Sequence, residues 1–278
     1  MLAFSSLLGN VEGQNIYRIW YDKPASYWEE ALPVGNGRIA AMVFGDPQLE
    51  QIQLNEETVS AGSPYQNYNE EAKTALPEMR RLIFEGKYEE AQNMATTKIL
   101  SQVGNEMPYQ TVGRLNIRYQ DHKKVNNYYR DLDISNAVAV TRYEVDGVEF
   151  TEETFASFTD QLVIRHIKAS KPGTINCELF FNTPMRDPKR SIYGKKGLRL
   201  EGITHGSRYF PGKVHYCADL DVKHKGGKVI TANDTLLSVQ GASELTLYIS
   251  MATNFVNYKD ISGDPYQRNK AYLKNAAK

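Results

Sequence analysis

Through most of the second half of this 278-residue chain, apolar side chains recur at every second position. That period places them on one face of a β-strand. Residues 138–145 and 148–155 alternate in this way around Asp146-Gly147, the strongest short-range signal for a hairpin. Residues 162–168 and 174–182 flank the turn Ser170-Lys171-Pro172-Gly173. Further strands are predicted over 114–119, 197–203, 213–223, 228–231, 235–239 and 244–252. Near the start, residues 16–21 form a first strand and Pro24 turns the chain. Residues 31–64 then read ALPVGNGRIAAMVFGDPQLEQIQLNEETVSAGSP. They predict a turn over 33–38, a buried strand over 39–44, a turn at Gly45-Asp46-Pro47, a strand over 50–54 and a polar loop over 55–64.

The period becomes helical between residues 69 and 101. Asn69 is placed to cap a short helix over 70–75, and Pro77 to open another, where its missing N–H costs nothing. Leu76, Met79, Leu82 and Ile83 keep helical spacing until Gly86, and Tyr88, Ala91, Met94, Ala95 and Ile99 mark a second amphipathic helix. Such apolar stripes are read as packing faces. About a dozen short strands at near-regular spacing predict a mainly β fold, a large antiparallel β-sandwich with a two-helix insertion around residues 70–101, and not a βαβ fold.

Composition narrows the function. Lys plus Arg and Asp plus Glu are 33 each, net charge zero, so no broad attraction to nucleic acid or anionic membrane is expected. The 18 tyrosines suit strands and half-wet surfaces. Cys177 alternates with Ile175, Leu179 and Phe181, whereas Cys217 lies on the other phase from Tyr216 and Ala218. Both are predicted as buried free thiols. Residues 1–14 hold a short apolar run and small residues before Gln14 but no basic leader. They are read as the remnant of a signal peptide, which predicts a secreted or periplasmic protein.

Several long runs carry a family resemblance. ALPVGNGR, AMVFG, IQLNEET and AGSP occur in order between Ala31 and Pro64. ALPEMRRLIFEGKYEEAQ follows at 75–92, MPYQTVGRL at 107–115, a strand-rich run at 128–173 and ATNFVNYKDISGDP at 252–265. Together they resemble the N-terminal domain of glycoside hydrolase family 95, the α-L-fucosidase family, over roughly residues 16 to 265. The resemblance implies a domain over 15–265, with 266–278 opening a linker helix toward an (α/α)₆ barrel. In that family the barrel carries the acid and base carboxylates, and terminal α-L-fucosyl or related α-galactosyl-type bonds are hydrolysed with inversion and without a metal or other cofactor. The expected partners are the barrel of the same chain and a fucosylated oligosaccharide. One position departs: Ser60 stands where the family's loop leads one to expect Trp.

Glycoside hydrolysis needs two carboxyls about 5 to 9.5 Å apart across one bond. The adjacent pairs Glu56-Glu57 and Glu152-Glu153 point to opposite faces of a strand and do not supply that arrangement. The five histidines show no metal-ligand spacing. Asn36, Arg38, Asn55 and Glu56 are the candidates for contacts with substrate or between domains, because directional polar groups sit there in loops of fixed backbone. Turn formation and a surface ion pair are the alternative reading of the same residues. Two other functions stay open: a stand-alone carbohydrate-binding sandwich presenting a row of aromatics, and a mutarotase-like enzyme using His205 or His215 with Glu201.

Overall fold

The computed structural model describes residues 17–101, 107–185, 187–206 and 210–276. Residues 1–14, read above as a signal-peptide remnant, lie outside the described residues. In chain order the elements are β1 (Arg18–Tyr21), β2 (Leu32–Gly35), β3 (Ile39–Val43), β4 (Leu49–Glu56), α1 (Ala72–Phe84) and α2 (Tyr88–Met94). Strands follow as β5 (Gly113–Tyr119), β6 (Asn126–Asp133), β7 (Val138–Val145), β8 (Val148–Ser157), β9 (Leu162–Ala169) and β10 (Ile175–Asn182). The chain continues through β11 (Lys189–Tyr193), β12 (Gly197–Ile203), β13 (His215–Lys225), β14 (Lys228–Asn233), β15 (Leu236–Ala242), β16 (Glu244–Thr253) and α3 (Pro265–Ala276).

Two antiparallel sheets face each other. One has nine strands in the order β1-β6-β7-β8-β9-β16-β13-β12-β11, the other seven in the order β14-β15-β10-β5-β4-β3-β2. The predicted mainly β sandwich with its helical excursion is therefore present. Alternation sets what each strand buries: Ile52 and Leu54, Leu115 and Ile117, Val163 and Ile167, Leu220 and Val222, and Leu247 and Ile249 all point into one continuous core. The Asp146-Gly147 hairpin joins Val145 to Val148 directly, and both turn residues adopt positive φ, 49° and 72°, the backbone a two-residue hairpin turn demands.

Several expectations need correction. Leu32–Gly35 is a strand paired with β3, so the predicted turn over 33–38 begins only at Asn36. Pro33 is tolerated because β2 is an edge strand. Asn55 and Glu56 end β4, paired with Ala40 and Ile39, and do not open a loop. The two short helices expected between residue 70 and Gly86 are one, with Pro77 inside it. The proline's missing N–H leaves the carbonyl of exposed Lys73 to water. The second helix gives way at Ala95–Ile99 to a π-helical turn. The apolar stripes pack less than predicted: Leu82 and Ala91 are buried, while Ile83 and Tyr88 are exposed, because these helices pack chiefly against each other. Three strands went unpredicted, β2, β6 and β11. The second of these carries Arg130, Asp131 and Asp133 at buried positions, which hides its pattern.

α3 starts where Asp264 Oδ1 accepts hydrogen bonds from the Tyr266 and Gln267 N–H groups, at 2.8 and 3.1 Å, with Pro265 as the first helical residue. The helix lies on the outer face of the nine-stranded sheet over β13 and β16. There Asn269 is fully buried. Its Oδ1 accepts from Ser250 Oγ at 2.7 Å, and its Nδ2 donates to the Cys217 carbonyl at 3.0 Å. Cys177, in the core between the sheets, and Cys217, beneath α3, are buried free thiols, as expected.

Candidate functional site

The turn from β2 to β3 is shaped by Asn36, whose Oδ1 accepts the Arg38 and Ile39 N–H groups at 3.1 and 3.0 Å. Its Nδ2 donates to the Ser157 carbonyl at 2.9 Å, so a turn of the seven-stranded sheet is tied to the end of β8 in the other sheet. Arg38 extends the tie. Its Nε donates to Gln161 Oε1 at 2.7 Å, and its Nη1 to the Met251 carbonyl at 2.8 Å and to Glu56 Oε1 at 3.3 Å. The guanidinium also lies 4.8 Å from the centroid of the Tyr272 ring on α3. One side chain thus meets both sheets and the last helix.

Glu56 is buried at the end of β4. Its Oε2 accepts from Thr58 N at 2.8 Å and Thr58 Oγ1 at 2.6 Å, and Thr58 Oγ1 also meets Thr253 Oγ1. Burial raises the Glu56 carboxyl above its ordinary value, against the Thr58 hydrogen bonds and the Arg38 charge, which pull it down. Three of the four residues singled out from sequence, Asn36, Arg38 and Glu56, therefore form one hydrogen-bonded rim. Asn55 does not join it. By strand alternation it faces the outside of the seven-stranded sheet, half-buried beside Gln53.

Two recesses open near this rim. The first, about 550 Å³, lies past Thr58 and is walled by Met107, Phe255 and Tyr258, with Glu57 and Ser60 at its edge. Ser60, the position that departs from the expected Trp, contributes a small hydroxyl where an indole would fill space. The second recess, about 330 Å³, lies on the outer face of the nine-stranded sheet beside α3 and gathers Glu201, His205 and His215 with Tyr266 and Lys189. The pairing of Ile203 with His215 and of Glu201 with Cys217 makes Glu201 and His215 diagonal neighbours on one face. Burial together with the neighbouring Glu201 carboxylate pushes the Tyr266 phenol up to about 12. The segments dividing the two recesses are joined by Gly62 N donating to the His205 carbonyl at 3.0 Å.

The most deeply buried charges lie elsewhere, and sequence reasoning missed two of the three. Between the sheets, Arg165 Nη2 donates to Glu50 Oε2 at 2.9 Å and to Glu152 Oε2. Arg165 Nη1 donates to Thr154 Oγ1 at 2.7 Å. Glu152 Oε1 accepts from the Tyr119 and Tyr143 hydroxyls at 2.6 and 2.8 Å, and Glu50 Oε1 from the Phe44 and Gly45 N–H groups at 3.1 and 3.0 Å. All three charged side chains are sealed from solvent, so this carboxylate pair meets no substrate. Their signal was phase: Glu50 shares the parity of Ile52 and Leu54, and Arg165 that of Val163 and Ile167. Glu152 and Glu153 do take opposite faces, one buried and one exposed. Among the described residues, no three His, Cys, Asp or Glu side chains converge to hold a metal ion.

A family model described as the N-terminal domain of glycosyl hydrolase family 65 matches residues 19–258. The chain belongs to that family. Alpha-L-fucosidase 2 of Arabidopsis thaliana is 31% identical to this family 65 N-terminal domain over 271 residues, which cover 88% of this chain and 31% of the plant protein. Probable alpha-fucosidase A of Aspergillus niger is 26% identical over 288 residues, covering 94% of this chain and 34% of its own. The chain thus spans about a third of the length of the curated relatives it matches. A solved structure titled a putative kojibiose phosphorylase from human microbiome aligns over 96% of this chain and 35% of its own, at 8% identity and a TM-score of 0.47. The resemblance drawn from the sequence motifs holds at the level of the N-terminal sandwich domain of a glycoside hydrolase family, similar in sequence to proteins named alpha-fucosidases.

Proposed function

We propose that this sandwich is the non-catalytic N-terminal domain of a glycoside hydrolase that releases terminal α-L-fucosyl, or related α-galactosyl-type, residues from oligosaccharides. The observation that carries the reading is the 31% identity to a plant protein named an α-L-fucosidase, running along nearly the whole sandwich. The distribution of carboxylates supports a supporting role for this domain. Glu50 and Glu152 are sealed around Arg165, and Glu56 is engaged by Thr58 and Arg38. None is paired with a second carboxyl across an open cleft, as glycoside hydrolysis requires.

In this proposal the sandwich serves a separate catalytic barrel of the same chain, and its rim of Asn36, Arg38 and Glu56 fixes the loops that face it. Asn55 serves from the sheet's outer face. Hydrolysis proceeds in the barrel with inversion, and the protein acts outside the cytoplasm, to which residues 1–14 would direct it. The test is the intact mass of the native product recognised by an antibody to this domain, with fucose release from p-nitrophenyl α-L-fucopyranoside measured on the same material. A mass far above 31.5 kDa together with fucose release is expected. A product near 31.5 kDa, or a longer one that releases no fucose, overturns the proposal.

A further inference from the structure

The smaller recess on the outer face of the nine-stranded sheet is built more carefully than a surface dimple. Thr204 lines it in part, although its Oγ1 is itself sealed from solvent. The walls are held in place from behind. The Tyr266 ring lies 4.9 Å from the Arg199 guanidinium, which is itself fixed by two bonds to Asp219 at 2.6 and 2.8 Å. The backbone of both histidines is pinned: His205 N donates to Gln110 Oε1, and His215 N to Asn254 Oδ1, each at 2.9 Å. Thr204 N donates to the Val214 carbonyl at 2.9 Å. Gly202 lines the recess as well, and a Cβ there would sit 2.7 Å from the Tyr216 hydroxyl.

We infer that this recess is a binding site for a single neutral sugar residue, separate from the Arg38–Glu56 rim. At about 330 Å³ it lies at the small end of ligand cavities, roughly 300–1,000 Å³, the scale of one pyranose ring. Its polar groups suit vicinal hydroxyls. Glu201 accepts, the His215 imidazole can donate or accept, and Lys189 donates. The face of Tyr266 offers the C–H surface of a sugar ring an apolar wall. The lining carries both signs of charge, Lys189 against Glu201 and Asp187, which favours an uncharged ligand over an anion. The choice of a sugar over another small polyol rests on the glycoside hydrolase reading proposed above.

The experiment is titration of the 278-residue chain with methyl α-L-fucopyranoside, methyl α-D-galactopyranoside and methyl α-D-glucopyranoside, followed by amide chemical shifts, with glycerol as control. Saturable binding of at least one glycoside is expected. Glu201→Gln should weaken it about tenfold or more, the worth of one charge-assisted hydrogen bond, and His215→Ala about threefold. Tyr258→Ala, in the other recess, should leave it unchanged, and the melting temperature of each variant checks its fold. The inference is overturned if no glycoside saturates, if glycerol binds as well, or if binding ignores both Glu201→Gln and His215→Ala. The outcome is independent of the proposed hydrolase role, which is read from fucose release by the native product: fucose release without binding here removes the recess alone.

Discussion

Two arginines of this sandwich each meet carboxylates, to different ends. Arg165 is fully buried at mid-core, with its charge divided between Glu50 and Glu152. Arg38 stands at the rim, its side chain 20% exposed, and shares its donors among Glu56, Gln161 and the Met251 carbonyl while facing Tyr272. The first network has nowhere to send an unpaired charge except into apolar surroundings. The second borders solvent, so a lost partner is replaced by water. The same ionic chemistry therefore serves cohesion of the two sheets in one place and placement of loops and a helix in the other.

The comparison breaks most visibly at the core. Arg165→Met leaves two buried carboxylates without their cation and should cost about 3–5 kcal/mol, read from the denaturant midpoint. Replacing Glu50 and Glu152 by Leu in the same protein should recover much of that loss, because an apolar cluster needs no counter-charge.

Titration gives the next largest effect. Burial raises Glu50 to about 7, against the pull of Arg165 and the Gly45 N–H. The folded state then holds this proton more tightly than the unfolded chain does. The contribution is complete below about pH 4.5, the ordinary value, and is lost as pH rises through about 7. It is on the order of 3 kcal/mol. Glu56, also raised by burial, adds a contribution of the same sign. Melting temperatures at pH 5 and pH 8 check this, and Glu50→Gln should flatten most of the difference between them while lowering both.

At the rim, Arg38→Ala should cost about 1–3 kcal/mol and speed amide exchange in α3 and around Gln161, with the core amides unmoved. Asn36→Ala should be the mildest, about 1 kcal/mol, confined to the turn and its tie to Ser157. If Arg38→Ala instead loosened the core amides as much as Arg165→Met does, the distinction between the two networks would fall.

The sandwich was legible because strand alternation is a local signal that burial reinforces, as in the hairpin at Asp146-Gly147. It failed where charge replaces apolarity at inward positions. β6 is such a strand, with Arg130 pointing between the sheets while its Nε and Nη1 donate to the Lys23 and Glu30 carbonyls. Glu50 and Arg165 break the pattern in the same way, yet each sits on the apolar phase of its own strand, and a charge on that phase is the mark of a buried partner. At the rim, sequence singled out Asn36, Arg38 and Glu56 but not what joins them. Gln161, Met251 and Tyr272 lie 123, 213 and 234 residues from Arg38, a distance that no local pattern spans. The recess at Glu201 was legible only in part: the histidines and the glutamate drew notice for their chemistry, while Lys189 and Tyr266 gave no signal, because only the fold brings them to that face.

Asn269 gives the last helix a mechanical role. With both ends of its amide fastened beneath α3, the 12-residue helix is a lever about 18 Å long clamped to the sandwich at its middle. A tilt of about 10° at that clamp would swing the far end by about 2 Å, whereas displacements near 1 Å already slow catalysis about a hundredfold. A buried amide that registers as a small entry in folding stability thus sets the aiming tolerance for anything mounted beyond it.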